Sequence, residues 1–75
     1  SLFNIIIICS GKSTTQVSAL ANSVSENFKA NNIEIIGIEG KRSGEWVLVD
    51  SGDVVVHIML PQVREYYDLE TLWNG

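Results

Sequence analysis

Apolar and polar positions alternate most clearly in residues 45–60, where two β-branched runs flank the dipeptide Ser51-Gly52. Two such runs separated by a glycine-containing pair are a strong signal for a β-hairpin. With Ser51-Gly52 as the turn, directly opposed residues share a face, so we expect Trp46 to lie opposite His57. The pattern therefore predicts two adjacent antiparallel strands joined by a two-residue turn.

The alternation sorts the side chains of this hairpin into two faces. The first, the aliphatic face, consists of Val47, Val49, Val54, Val56 and Ile58. The second, the mixed face, consists of Trp46, Leu48, Val55, His57 and Met59, with Asp50 and Asp53 at the turn end. An aliphatic face suits packing on a helix, whereas Trp and Met are enriched at protein interfaces. The mixed face is therefore either core beneath another layer or a surface for a partner, and the pattern leaves both interpretations open.

The first half of the chain predicts a strand followed by a helix. Residues 3–9 form a near-continuous apolar run, which is typical of a central strand buried on both faces. Ser13 and Gln16 match a capping box, in which Gln16 reaches back to the amide of Ser13. One apolar stripe follows at helical spacing, formed by Val17, Leu20, Ala21, Val24 and Phe28. We expect the helix to end near Asn31-Asn32, because Asn adopts left-handed C-caps.

The elements on either side of the hairpin complete the predicted fold. Residues 33–38 read as a second strand, so strand, helix and strand form a βαβ-like unit. Pro61 is expected to end the last strand, because proline cannot donate to a sheet ladder. Residues 62–75 predict short helical turns that place aromatic side chains on the sheet. The predicted fold class is α/β of the α+β kind, a mixed sheet with a βαβ unit, a C-terminal hairpin and a short helical tail, in a single domain over residues 1–75.

Composition narrows the classes of partner. The 75 residues are 45% hydrophobic and carry a net charge of −4. Phosphate backbones repel such a chain, so direct nucleic-acid binding through a basic face is disfavoured, whereas docking on a basic protein is favoured. The single cysteine, Cys9, cannot form an internal disulfide, and its place in an apolar strand predicts a buried structural thiol. The apolar run around it is too short to span a bilayer.

Three groups of residues have side chains suited to chemistry, but none has the pattern of a catalytic or metal site. The segment 10–14 resembles part of a phosphate-binding loop, but Ile6 stands where that motif needs a glycine. Asp50 and Asp53 lack a third nearby carboxylate and are better explained by hydrogen bonding at a turn. His57 has no nucleophile in an obvious motif, and one His with Cys9 cannot complete a zinc site. We therefore predict no catalytic residue, no cofactor and no metal.

Several motifs together carry a resemblance to a known family. They are Glu39-Gly40, residues 46–50 and 52–57, Arg64, residues 67–70, and Leu72-Trp73. In order and spacing they resemble the Iojap-type ribosomal silencing factors, over essentially all 75 residues. Family members usually carry an N-terminal helical segment and an initial strand before this region, so we expect the N-terminal part of the family domain to be missing here.

The resemblance implies a mixed α/β fold related to nucleotidyltransferases but lacking their catalytic acids, and hence no enzyme activity. Members of the family bind large-subunit ribosomal protein fourteen and sterically block association with the small subunit, which represses translation under nutrient limitation. Members of the family are also often described as self-associating, so a homodimer is a further expectation. No membrane partner is expected. The implied location is cytoplasmic, or organellar if a missing N-terminus held a transit peptide. The rival readings are a homo-oligomerisation module and a residual nucleotidyltransferase-like enzyme using Ser10-Gly11 with Asp50 and Asp53.

The resemblance and the mixed face together define a set of expected contacts with the ribosomal partner. These residues lie in three places: on the mixed face, at its turn, and in the helical tail. The expected partner-binding residues are Trp46, Asp50, Asp53, His57, Met59, Arg64, Tyr67, Glu70 and Trp73.

Overall fold

The computed structural model describes residues 5–68, which form four strands and two helices. In chain order these are β1 (Ile5–Ser10), α1 (Thr14–Ala30), β2 (Gly37–Glu39), β3 (Trp46–Asp50), β4 (Val54–Met59) and α2 (Pro61–Tyr67). The strands form one sheet in the order β1-β4-β3-β2, with β1 parallel to β4 and the other neighbours antiparallel. The predicted fold class, a mixed sheet with helices and a hairpin, is confirmed.

Helix α1 begins and ends where the sequence predicts. The hydroxyl oxygen of Ser13 accepts a hydrogen bond of 3.1 Å from the backbone N–H of Gln16, as in a capping box. The Gln16 side chain accepts from the backbone N–H of Lys12, one residue before the amide that we expected. At the other end, Asn32 takes a left-handed conformation with φ of 59°, as predicted for this pair.

Helix α1 packs its apolar stripe on the aliphatic face of the sheet. The buried core consists of Val17, Ala21, Phe28, Val47, Val49, Val56, Ile58 and Leu60. Each buried valine, isoleucine, leucine or phenylalanine in this core contributes about 1.5–3 kcal/mol relative to an exposed position. Ser25, which lies off the predicted stripe, is also buried, and its hydroxyl donates to the carbonyl of Ala21 at 2.9 Å. Cys9 is a half-buried free thiol packed against this core, rather than the fully buried one predicted.

The hairpin pairs two residues away from the predicted register. Leu48 lies opposite His57, and Trp46 lies opposite Met59. The turn is therefore centred on residues 52–53, and the prediction of a turn at Ser51-Gly52 was wrong. Asp50, expected to face Asp53, pairs with Val55 instead. Because the shift is two residues, every side chain stays on its predicted face.

The backbone of the turn explains this register. Gly52 has a φ of +91°, and a positive φ at the first central residue is typical of the type II′ turn that favours glycine there. Ser51 donates its backbone N–H to the carbonyl of Val54 at 2.9 Å, and the Ser51 hydroxyl donates to the same carbonyl at 2.7 Å. These bonds close the loop one residue later than the dipeptide pattern suggests.

Strand β1 is not a central strand in the part of the chain that the structure describes. It pairs with β4 on one side, from Ile5 with Val54 to Ser10 with Met59, and no strand within residues 5–68 lies on its other side. Some of its side chains are therefore exposed to solvent, with Ile5 at 55% and Ile7 at 42% exposure. The prediction of burial on both faces was wrong here, because a β-branched run predicts a strand without specifying its neighbours.

Strand β2 is shorter than predicted and lies at the opposite edge of the sheet from β1. Only Gly37–Glu39 pairs with β3, while Ile33 and Ile36, assigned to the strand from sequence, are 38% and 66% exposed. The strands that flank α1 in sequence are therefore separated by β4 and β3. The hairpin joins them into one sheet, and Pro61 begins α2 directly after the last strand, as its ring predicts.

Candidate partner-binding face

Helix α2 covers one end of the mixed face. Ser10, Met59 and Trp46 are aligned in one row across three strands. At one end of the row a guanidinium nitrogen of Arg64, Nη1, donates to the hydroxyl oxygen of Ser10 at 3.1 Å. At the other end the ring centroid of Tyr67 lies 5.1 Å from that of Trp46. The helix therefore lies across this row, and the prediction that the tail places aromatics on the sheet is confirmed for Tyr67.

Met59 is the expected contact residue that the structure removes from the surface. Its side chain is 0% exposed, because it lies in the middle of the row that α2 crosses. The alternation along β4 placed it correctly on the mixed face but could not show that a helix covers it. Met59 therefore supports the face from beneath and does not present an apolar anchor to a partner.

Trp46 and His57 form one hydrogen-bonded unit on the open part of the mixed face. The indole nitrogen Nε1 of Trp46 donates to Nδ1 of His57 at 3.0 Å, and the ring centroids are 5.9 Å apart. An indole N–H only donates, so Nδ1 is the acceptor and the neutral imidazole carries its proton on Nε2. Burial lowers the pKa of His57 below its usual 6.5, which keeps this neutral tautomer at pH 7.

A shallow pocket of about 230 Å³ opens beside this unit. Its lining consists of Glu39, Gly40, Trp46, Leu48 and His57. Three strands build it, because Glu39 pairs with Leu48 and Leu48 pairs with His57 across the sheet. Gly40 has a φ of +88°, and without a side chain the loop after β2 can lie against the backbone of Trp46.

Two of the five residues that line this pocket were predicted from sequence as contacts. Trp46 and His57 were among the expected contact residues, and Leu48 was assigned to the mixed face without a contact role. Glu39 and Gly40 were recognised only as a motif of the family resemblance. The missing signal is register, since the pairing of β2 with β3 is what brings the Glu39 side chain to the same row as His57.

The two acids Asp50 and Asp53 lie at the turn end of the hairpin, away from Trp46, and Asp50 stabilises the turn. An oxygen of Asp50, Oδ1, accepts a hydrogen bond of 2.8 Å from the backbone N–H of Gly52, which is the turn interaction predicted from sequence. Asp53 is exposed beside it. Glu70 and Trp73, also expected at the interface, lie outside the described residues. The structure thus groups Trp46, His57 and Tyr67, places Arg64 at the Ser10 end of the same row, and leaves Asp50 and Asp53 apart from them.

Within residues 5–68, no three His, Cys, Asp or Glu side chains are grouped so that they could hold a metal ion. The helices in this part of the chain are too short or too polar to cross a membrane.

Known proteins resemble this chain along its whole length. Residues 1–75 match the family described as Ribosomal silencing factor during starvation. A ribosomal silencing factor from Chromobacterium violaceum is 60% identical over 75 residues, a match that covers 100% of this chain and 62% of that protein. A crystal structure of a Chromobacterium violaceum protein with 60% identity superposes with a TM-score of 0.90, over 93% of this chain and 58% of that one. A crystal structure from Bacillus halodurans, 44% identical, has a TM-score of 0.80 over 91% of this chain and 65% of that one.

These relatives are longer proteins, and this chain spans 62%, 58% and 65% of their lengths. The family match covers all 75 residues of this chain. The motifs that pointed to the family from sequence include the pocket residues Glu39, Gly40 and Trp46 and the hairpin. This chain belongs to the ribosomal silencing factor family.

Proposed function

We propose that this chain binds the large ribosomal subunit through ribosomal protein fourteen and, once bound, sterically blocks association with the small subunit. Family membership supplies the general role in ribosome silencing, and the choice of partner and the occlusion are our proposal. The protein acts by occupying a surface, without a catalytic step. Such binding represses translation when nutrients are limiting.

The observation that carries this proposal is the open part of the mixed face, on the opposite side of the sheet from α1. Trp46 and His57 are held there by their mutual hydrogen bond of 3.0 Å, and Tyr67, 51% exposed, packs on Trp46. Aromatic side chains that are already fixed lose little conformational entropy on docking, and they are common interface hot spots. This arrangement supports a preformed protein-binding surface.

The charge of the chain supports a basic partner. The net charge is −4, and exposed carboxylates occur at Glu39 beside the pocket and at Asp53 on the turn. Complementary charge raises the rate of encounter and disfavours wrong partners. A basic ribosomal protein therefore fits this face better than an exposed phosphate backbone does.

Co-sedimentation with isolated large subunits tests the proposal directly. We expect the chain to pellet with large subunits and to reduce the fraction that joins added small subunits. Trp46→Ala and Asp53→Lys are expected to weaken pelleting while the fold survives. Glu26→Lys is the matched control for Asp53→Lys, because it makes the same charge change at an exposed position of α1, on the other side of the sheet.

Each outcome has a clear meaning. If the chain does not pellet with large subunits, ribosome binding by this chain is rejected. If it pellets but both Trp46→Ala and Asp53→Lys pellet equally well, the proposal of the mixed face as the binding surface is wrong. If subunits join normally in its presence, occlusion is rejected.

Self-association is a second candidate function, and a separate observation favours it. The outer edge of β1 has no partner strand within residues 5–68, and Ile5 and Ile7 on it are substantially exposed. Open apolar strand edges pair readily with other chains. Light scattering at low micromolar concentration distinguishes a stable homodimer from a monomer that binds only the ribosome.

A further inference from the structure

The pocket beside His57 combines two apolar walls with one carboxylate. Trp46 and Leu48 supply the apolar surface, and the carboxylate belongs to Glu39. No lysine or arginine lines this pocket in the described part of the chain. Within residues 5–68, the Glu39 side chain makes no hydrogen bond or ion pair. The pocket therefore presents an uncompensated negative charge at the edge of an aromatic and aliphatic surface.

This composition matches the side chain of lysine or arginine. Both carry an apolar stem that packs on apolar surface and a cationic end that stays near the rim. A cation near the face of an indole is further attracted by the ring, and an ion pair with a carboxylate adds a charge-assisted hydrogen bond. An acidic or purely aliphatic side chain would leave Glu39 repelled or unpaired.

The state of His57 decides whether the pocket can hold a cation. Neutral His57 accepts from Trp46 at Nδ1 and adds no charge to the lining. Protonation converts Nδ1 into a donor that faces the donor of Trp46, so this hydrogen bond is lost. The imidazolium would also repel a cation in the same pocket.

We propose that this pocket receives a lysine or arginine side chain of the ribosomal partner, paired with Glu39, and that protonation of His57 closes the site. The inference rests on the proposed function, because it specifies the chemistry of that partner at one position. The proposed function requires a basic partner, and this inference adds that one basic side chain of that partner binds in this pocket.

The other charged and titratable groups on this side of the sheet set the context for His57. Glu39 on β2 and Asp50 on β3 present carboxylates on the mixed face, and α2 contributes the guanidinium of Arg64 and the phenol of Tyr67. From β1 the residue opposite His57 is an isoleucine, which does not titrate. Glu39, the one carboxylate in the pocket lining, favours the imidazolium, and burial opposes it.

The subsite is tested by removing the charge of Glu39 without changing its shape. Glu39→Gln is expected to weaken co-sedimentation with isolated large subunits about tenfold, the effect of losing one charge-assisted hydrogen bond. Glu34→Gln is the matched control, because it makes the same substitution at an exposed residue just before β2 that does not line the pocket. If Glu39→Gln binds as well as Glu34→Gln while the unmodified chain pellets, the subsite is rejected and the proposed function stands.

The gate is tested by pH with a variant that cannot titrate. Between about pH 7.5 and about pH 5.5 we expect the unmodified chain to lose affinity for large subunits as His57 is protonated. His57→Asn keeps a neutral acceptor near the position of Nδ1 and is expected to bind with little pH dependence over the same range. If His57→Asn loses affinity with acid as the unmodified chain does, the gate is rejected.

A measurement on the free chain separates the two proposals. In a Trp73→Phe background, the indole N–H resonance of Trp46 is expected to shift as His57 titrates, because its acceptor is lost. An indole resonance that stays fixed through this titration overturns the gate whatever the ribosome assay gives. If the free chain behaves as expected but does not pellet with large subunits at any pH, the proposed function fails, and the basic-side-chain subsite is rejected with it.

Discussion

The backbone of Gly40 lies so close to the carbonyl oxygen of Trp46 that a Cβ on residue 40 would overlap this oxygen. Gly40 also has a φ of +88°, in the left-handed region that L side chains rarely adopt. The loop after β2 can therefore follow the edge of β3 only with glycine at this position. Since the same two residues line the pocket, the shape of the candidate site depends on this contact.

We predict that Gly40→Ala lowers the free energy of unfolding by about 1–3 kcal/mol, through backbone strain and the overlap with Trp46. Urea denaturation measures the change. Gly37→Ala is the matched control, because a Cβ there meets no atom within 4 Å and the residue begins the short strand that Gly40 follows. Equal stability of the two variants would contradict this reading of the loop.

The aliphatic face gives a prediction about the core. Ile58 is 0% exposed, so Ile58→Val is expected to cost about 0.5–1.5 kcal/mol of unfolding free energy by leaving a small cavity. Ile36→Val deletes the same methylene group at a position that is 66% exposed, and it should change stability much less. Chemical denaturation of both variants distinguishes them, and a larger loss for Ile36→Val would mean that the burial is wrongly assigned.

His57 makes stability depend on pH with a definite sign. Its folded-state pKa is lowered by burial, so as the pH falls below about 6.5 the unfolded chain binds the proton first and the folded state loses stability. The loss ends once the pH passes below the folded-state pKa, and above about 6.5 this residue adds no pH dependence.

His57 is the only histidine in the chain, so His57→Asn should flatten this part of the pH profile. Thermal unfolding at several pH values between about 5.5 and about 7.5 checks the expectation. A profile that stays equally steep in the variant would assign the dependence to carboxylates instead.

The exposed edge of β1 leads to a prediction about self-association. Ile5→Lys places a charge on a strand edge where Ile5 is 55% exposed, and edge charges oppose pairing between chains. We expect the fraction of associated chains in light scattering to fall. Ile36→Lys adds the same charge at a residue that is 66% exposed and lies away from β1, and it should leave association unchanged. An equal effect of both substitutions would point to net charge as the cause.

Which side of the sheet each residue faces could be predicted from sequence, because side chains in a strand alternate with a period of two. This is why Trp46 and His57 were placed together and Val47 and Ile58 were placed in the core, although the hairpin register was two residues off. A shift of one residue would have reversed every assignment. The wrong turn therefore changed which residues lie opposite each other across the hairpin, but not the side of the sheet that each side chain faces.

What the sequence could not provide is pairing between distant segments. The apolar run in β1 does not specify that β4 is its neighbour, and nothing local to Met59 indicates that α2 covers it. The pocket was incomplete for the same reason, since Glu39 reaches it only through the pairing of β2 with β3. Local chemistry set the helix cap and the turn contacts, while long-range contacts completed the candidate site.

The parallel pairing of β1 with β4 joins residues about fifty positions apart, from Ile5 with Val54 onward, and such non-local contacts slow folding. During synthesis about fifty residues must be added after Ile5 before its partner Val54 exists. Until β4 is made, the isoleucines of β1 have no strand to pair with, and an unpaired apolar strand can associate with other chains. The nascent chain is therefore most open to association with other chains before β4 has been made.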